Sequence, residues 1–266
     1  MTHANQTQPL TTHPSRKFWL VGASAGIGLA LCEKLLQQGD QVIASSRNAE
    51  SSTQLLELQQ SYQHSLQLLN IDVTKPDTIT HACATAWECF EGIDCWIYNA
   101  GSYEPLSIDQ WDEELFIQMN QTNYLGAVRM MIALKPYFLE QASGEWLWNI
   151  SLSSDFGLPY AGAYSAPKAA LMNLAESLQP ELQHHEIQLK VVNHGFVNTR
   201  LTAKNDFPML GLMEPHAAAD KILQAINATG RFETRFPWNL ASILSLLKRL
   251  PKSWALKLSS KTLKHH

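Results

Sequence analysis

What most restricts the fold of this chain is an alternation. Short apolar runs at residues 18–21, 42–44, 66–71, 95–98, 146–150 and 189–192 are separated by longer stretches with the spacing of amphipathic helices, at 27–38, 76–90, 110–138, 164–183 and 215–228. Continuous apolar runs are what strands need when both faces of a sheet are covered. A helix between successive strands forces a right-handed crossover and parallel pairing. The pattern predicts an α/β fold: a single doubly wound parallel sheet with helices on both faces, whose ligands bind at the carboxyl ends of the strands. With 266 residues, 45% of them hydrophobic, the chain can fill one large core, and no repeat or Gly/Ser-rich linker divides it.

Both ends depart from the pattern. Residues 1–15 are polar and aperiodic and are expected to form a disordered tail, leaving 16–230 for the sheet domain. Residues 231–266 form a C-terminal extension with eight Lys and Arg against one Glu, a net +7 where the rest of the chain carries −11. Its apolar residues recur at helical spacing, Trp238, Ile243, Leu244, Leu247 and Leu250, then Trp254, Leu258 and Leu263. Basic amphipathic helices with Trp suit a membrane surface or a partner protein, and packing on the domain or across a dimer produces the same pattern.

Overall net charge of −4 gives no general attraction to nucleic acid, so none is expected as a partner. Cys32, Cys83, Cys89 and Cys95 form no C-x-x-C pair and read as free, mostly buried thiols; no metal site is expected. No apolar run follows a basic stretch near residue 1, and no stretch is long enough to span a bilayer. The expected location is cytoplasmic, peripheral to a membrane if the extension binds one.

The first apolar run leads directly into Gly22, Ala23, Ser24, Ala25, Gly26, Ile27 and Gly28. Glycines here let the backbone turn tightly and approach a pyrophosphate, while the next helix points its N-terminal amides at that anion. The second strand ends in Ser45, Ser46 and Arg47, where an NAD-binding protein would place a carboxylate for the ribose 2′-hydroxyl. A carboxylate repels a 2′-phosphate; Arg offers it a fixed charge and a planar donor fork. NADP(H) is therefore the expected cofactor.

The G-x-x-x-G-x-G spacing resembles that of the short-chain dehydrogenase/reductase family, whose loop usually begins with Thr where this chain has Val21. The resemblance covers roughly residues 17–230 and implies a Rossmann-type NADP-binding catalytic domain. It also implies cofactor contacts at Asp72 and its neighbour Val73 near the adenine, and at the Asn99-Ala100-Gly101 turn. Val197 and Thr199 would serve the nicotinamide end. Where the family has Pro before the Gly of its next turn, this chain has His194: a neutral, backbone-bonded His is one account, a group titrating near the substrate the other.

Tyr164 and Lys168, four residues apart, rise from one face of a helix that starts near Ala163. A phenol has a pKa of about 10, and an adjacent ammonium is expected to lower it toward the working range. Lys168 can also hydrogen-bond the nicotinamide ribose. Ser151 lies thirteen residues before Tyr164, at a strand end, placed to donate to a carbonyl oxygen as charge develops there. Ser153 and Ser154 compete for that role, since Ser154 stands three residues before Gly157. In the resembled family an Asn in N-x-x-G kinks the long helix and binds a water. Asn123 before Gly126 fits that register better than Asn120.

These readings converge on an NADP(H)-dependent oxidoreductase that interconverts an alcohol and a ketone or aldehyde, with Tyr164 as general acid/base. The segment 201–215 is rich in Phe, Met and Leu and is expected to close over an apolar small-molecule substrate. A homodimer or homotetramer is expected. The alternative is a non-catalytic NADP-binding regulator, or a membrane-surface protein, that retains the fold.

Overall fold

The computed structural model describes residues 14–263. Most of the segment expected to be a polar tail, residues 1–13, and the terminal residues 264–266 lie outside the described part. Seven strands form one parallel sheet in the order β3-β2-β1-β4-β5-β6-β7. They are β1 (Lys17–Val21), β2 (Gln41–Ser46), β3 (Leu66–Asn70), β4 (Cys95–Tyr98), β5 (Gly144–Asn149), β6 (Ile187–His194) and β7 (Glu233–Phe236). The strand order reverses between β1 and β4, which opens a crevice at their carboxyl ends.

Helices cover both faces. On one side α1 (Gly26–Gln37), α2 (Thr53–Ser61) and α7 (Pro215–Asn227) pack on the sheet through Leu31, Leu35, Leu55, Ala218 and Ile222. On the other lie α3 (Pro76–Cys89), α4 (Glu113–Asn120), α5 (Gly126–Gln141) and α6 (Gly162–His184). There Trp96, Trp146 and Trp148, from paired strands, meet edge-on or stacked with ring centroids 5.3–6.5 Å apart. These rings give the sheet a rigid wall under α3 and α5. Cys32, Cys83 and Cys95 are buried free thiols, and burial pushes Cys32 and Cys83 up to about 12, so neither is nucleophilic at neutral pH.

Three features differ from the sequence expectation. The stretch 110–138 is interrupted: α4 runs into a π-helical turn, Gln121–Leu125, before α5 begins. Helix α2 was not legible, because Leu55 is its one buried residue and its remaining pattern is polar. Strand β7 lies within the stretch read as an extension. Residues 233–236 pair with Val191 to His194, so the sheet domain runs past 230 to Phe236. Beyond it, α8 (Trp238–Arg249) and α9 (Lys252–Ser259) are helical as the spacing predicts.

Candidate active site

The glycine loop joins β1 to α1 at the crevice. Gly22 has φ +92°, and a Cβ there would lie 2.7 Å from the Ala100 backbone nitrogen. At Gly28 a Cβ would come within 2.0 Å of the Gly22 carbonyl oxygen. Only hydrogen fits at either position, so the loop lies flat against the Asn99–Gly101 turn. Helix α1 begins at Gly26 with Ala25 as N-cap; no side chain caps it and no acid occupies its first turn. Its leading amides therefore face the crevice unopposed by negative charge. Thr199 closes the far side of the loop, its Cγ2 2.9 Å from where a Gly26 Cβ would stand.

Arg47 is exposed just past β2, and the nearby carboxylate of Glu50 is taken up by the Asn70 side chain at 2.9 Å. Asp72 Oδ1 accepts from the Thr74 hydroxyl at 2.6 Å and the Thr74 amide at 3.0 Å. Burial acts to raise this carboxyl, but Thr74, Lys75 and Arg47 outweigh it and hold it below the usual range. Val73 is buried and limits the approach of Gly126, where a Cβ would meet the Tyr98 hydroxyl at 2.3 Å. That hydroxyl donates to the Thr122 carbonyl at 2.6 Å, satisfying a group within the π turn.

Inside the π turn, Asn123 is fully buried. Its Nδ2 donates to the Ser102 carbonyl at 2.8 Å, and its Oδ1 accepts from the Ser102 amide at 2.9 Å. Asn123 thus holds the chain just past Gly101 in the manner of a strand partner, while Asn120 ends α4 exposed.

Ser151, Tyr164 and Lys168 come together beyond β5. Ser151 Oγ accepts from the Ser153 amide at 3.2 Å and the Ser153 hydroxyl at 3.1 Å, and it bonds the Tyr164 hydroxyl. Ser154 instead donates to Asn193 Oδ1 at 3.4 Å, so of the three serines Ser151 is the one facing Tyr164. Tyr164 and Lys168 stand one turn apart on α6, with Lys168 Nζ over the Tyr164 ring, 5.8 Å from its centroid.

The electrostatics correct one expectation. Burial raises the Tyr164 phenol, and the Ser151 hydrogen bond only partly opposes this. The Lys168 amine, 2.9 Å from the Asn149 carbonyl and 5.8 Å from the Tyr164 ring centroid, does not outweigh that burial. Burial pushes Lys168 itself down to about 8. The unfolded value is about 10.4, so between roughly pH 8 and 10.4 the unfolded chain binds the extra proton and stability rises with pH. The desolvation penalty is fully present below that window. Relative to Lys168→Met, the wild type should gain up to about 1.4 kcal/mol of unfolding free energy per pH unit across it. Denaturant melts of both proteins from pH 7 to 10 measure this, and a flat difference would show that Lys168 is not desolvated.

His194 is pushed down to about 4 by burial, with Lys168 adding to the effect against the Gly195 hydrogen bond. Its Nδ1 lies 2.7 Å from the Gly195 carbonyl, which can only accept, and its ring stacks on Phe236 at 6.2 Å. It is the neutral, backbone-bonded residue and not a group titrating near pH 6.5.

Several site residues escaped the sequence. Asn149 ends β5 and links the halves of the site: its Nδ2 donates to Asn99 Oδ1 at 2.6 Å, and Asn99 Nδ2 donates to the Gly22 carbonyl at 2.8 Å. With Lys168 on the Asn149 carbonyl, the glycine loop and the amine share one hydrogen-bonded chain. Asn193 Oδ1 accepts from the Ser151 amide at 3.2 Å, and its Nδ2 donates to Glu233 at 2.5 Å. Glu233 accepts from Arg235 at 2.7 Å, and Arg235 pairs with buried Asp155. The Ser151–Asp155 segment is therefore tied to β7. Tyr103 packs edge-on against Tyr164, centroids 5.1 Å apart, and donates to Asn205 at 2.7 Å. Lys204 donates to the Tyr103 carbonyl at 3.0 Å and pairs with Glu104, so the segment after Thr199 is latched over the site. Phe207 of this segment meets Phe196, ring centroids 5.9 Å apart.

A pyrophosphate cradle that any side chain would fill, an exposed Arg at the second strand and a Ser–Tyr–Lys group at the fifth fit a dinucleotide bound across the crevice. The family model for short chain dehydrogenases matches residues 17–208. An uncharacterized oxidoreductase of Myxococcus xanthus is 32% identical over 232 residues, 87% of this chain and 91% of that one. Chlorophyll(ide) b reductase NOL of Arabidopsis thaliana is 29% identical over 265 residues, 92% of this chain and 75% of that protein. A short-chain dehydrogenase structure from Streptomyces avermitilis superposes with TM-score 0.78 at 23% identity, covering 94% of this chain and 96% of that one. One from Burkholderia cenocepacia, in complex with NADP, superposes with TM-score 0.79 at 24% identity, covering 92% and 97%.

Proposed function

This chain belongs to the short-chain dehydrogenase family, and on that footing we propose that it interconverts an alcohol and a ketone or aldehyde using NADP(H), acting on an apolar substrate. The observation that carries the proposal is the meeting of Ser151, Tyr164 and Lys168 beside the glycine cradle. When bound, the nicotinamide supplies the hydride acceptor or donor. Gly22, Gly26 and Gly28, with Ser24, Ala25 and Ile27 of the same turn, would hold the pyrophosphate. Asp72 and Val73 would border the adenine, and Ala100, Gly101, Val197 and Thr199 would border the nicotinamide half.

The chain's own residues account for the proton and for carbonyl polarisation. Ser151 donates to the substrate oxygen and holds it at Tyr164. Burial keeps the Tyr164 hydroxyl protonated at neutral pH, which suits donation to that oxygen in the reducing direction. Lys168, mostly charged below about pH 8, orients the nicotinamide ribose and favours the phenolate that donation leaves. Asn123 positions Ser102 and the turn before it. Tyr103 against Tyr164, and Phe207 and Met209 in the segment that Asn205 ties to Tyr103, favour an apolar substrate. A panel of ketones, aldehydes and alcohols followed by NADPH absorbance tests the proposal; failure of every class would overturn it.

The preference for NADP(H) rests on Arg47. Its guanidinium stands exposed where β2 ends, with serines in place of a carboxylate. Charge-assisted contact with a 2′-phosphate should contribute about ten- to hundredfold in affinity. Arg47→Asp should reverse the preference, and titration calorimetry with both dinucleotides checks it. A wild type that prefers NADH would remove the argument. Exposed apolar residues on α4 and α5, Ile117, Ile132 and Leu139 among them, support a homo-oligomer built on those helices.

A further inference from the structure

We propose that α8, α9 and the adjoining tip of the 201–214 segment form a docking surface for an anionic phospholipid bilayer. On α8, Leu240, Ala241 and Leu244 face the domain, while Trp238, Ile243 and Leu246 face outward, Trp238 at 79% exposure. Helix α9 touches the domain through Ala255 and Ser259; Trp254 (66%) and Leu258, one turn apart, project away. Large side chains that the domain leaves in water on two successive helices are an unpartnered surface, not a core element.

The surface does not end with the helices. A Cβ on Gly211 would meet Pro237 Cγ at 2.6 Å and Asn239 Oδ1 at 3.0 Å, so the segment over the site abuts the start of α8. Leu210 and Leu212 on either side of that contact are themselves exposed. The apolar patch thus extends from the two helices to the entrance of the cleft.

Charge decides what covers it. From Pro237 to Leu263 the chain carries no acidic residue; Lys248 pairs with Asp155 of the domain at 3.7 Å, which leaves Arg249, Lys252, Lys257 and Lys261 for the surface. A second copy docked symmetrically through this face would set those cations against their own counterparts, which disfavours self-association. An anionic headgroup layer pairs with them, while Trp and Leu enter the acyl boundary. Among the described residues no helix is long and apolar enough to cross a membrane, so the helices would lie on the surface. The proposal does not depend on the redox assignment.

The test uses the full chain and vesicles of phosphatidylcholine alone or with phosphatidylglycerol, read by co-sedimentation. Binding is expected to the anionic vesicles, weakened at high salt, and negligible to the neutral ones. Each cation near the surface contributes about fivefold, so R249Q/K257Q/K261Q should bind about 100-fold more weakly. W254S/L258S should also lose binding, with its thermal melt and NADPH affinity unchanged as the control for folding. Failure of the wild type to bind anionic vesicles at low salt would overturn the proposal. So would equal binding by the charge variant, or an oligomer in light scattering that W254S/L258S converts to monomer.

Discussion

Tyr164→Phe is expected to reduce turnover by about 10²- to 10⁴-fold, the usual share of a positioned acid/base group, while NADPH affinity stays within a few-fold of wild type. The substitution removes one hydroxyl and keeps the ring. That ring packs against Tyr103 at 5.1 Å and beneath Lys168, contacts that Phe preserves. The hydroxyl's protein partner is Ser151, which keeps its bonds to the Ser153 amide and hydroxyl. The expected loss therefore falls on kcat. Steady-state rates and calorimetric NADPH titration of the same preparation separate the two quantities. Near-native turnover by Tyr164→Phe would remove this residue from the proton step.

Gly28→Ala is expected to weaken NADP binding by at least about 100-fold, beyond what ordinary overpacking costs. The new methyl would stand 2.0 Å from the Gly22 carbonyl oxygen and 2.7 Å from Asn99 Nδ2. That oxygen cannot swing aside, because Asn99 holds it at 2.8 Å and Asn149 holds Asn99 at 2.6 Å. Relief requires opening the cradle or breaking the chain that also reaches Lys168. Gly162→Ala is the matched control: apart from its chain neighbours and its own helix backbone, no atom lies within 4 Å of the added Cβ, so NADP affinity should be unchanged. Similar NADP dissociation constants for Gly28→Ala and wild type would mean that the cradle does not hold the pyrophosphate.

The site divides into what local sequence reveals and what only strand pairing creates. The glycine turn and the Tyr164–Lys168 pair are visible because each lies within a turn or two of chain, where spacing fixes geometry. Asn149 and Asn193 are not visible. Each ends an apolar run and looks like a strand terminus. Their roles arise from partners 50 and 40 residues away, Asn99 and Glu233. The same holds for Tyr103, brought to Tyr164 by loops far apart in sequence.

Among the elements, β1 to β6 were legible from their apolar runs, and β7 was not. Its sequence Glu-Thr-Arg-Phe buries fully only Phe236, as suits a strand paired on one edge. Two of its charged residues, Glu233 and Arg235, serve the network beneath Ser151, which sequence alone presents as part of a basic extension. The π turn was hinted at by Asn123 before Gly126. The Tyr98 hydroxyl that satisfies its Thr122 carbonyl again comes from a strand distant in sequence. Local chemistry also misjudged Tyr164: helical spacing places Lys168 beside it, but burial, which only the folded core creates, decides which way the phenol shifts.

The most direct test of the account follows the label, not the rate. NADPH deuterated at both C4 positions is supplied with a carbonyl compound that the panel identifies, and the product alcohol is examined by mass spectrometry. The account predicts one deuterium on the carbinol carbon with the wild type, and almost none formed in the same time by Tyr164→Phe. Product alcohol without deuterium, or equal labelling by the two proteins, would contradict it.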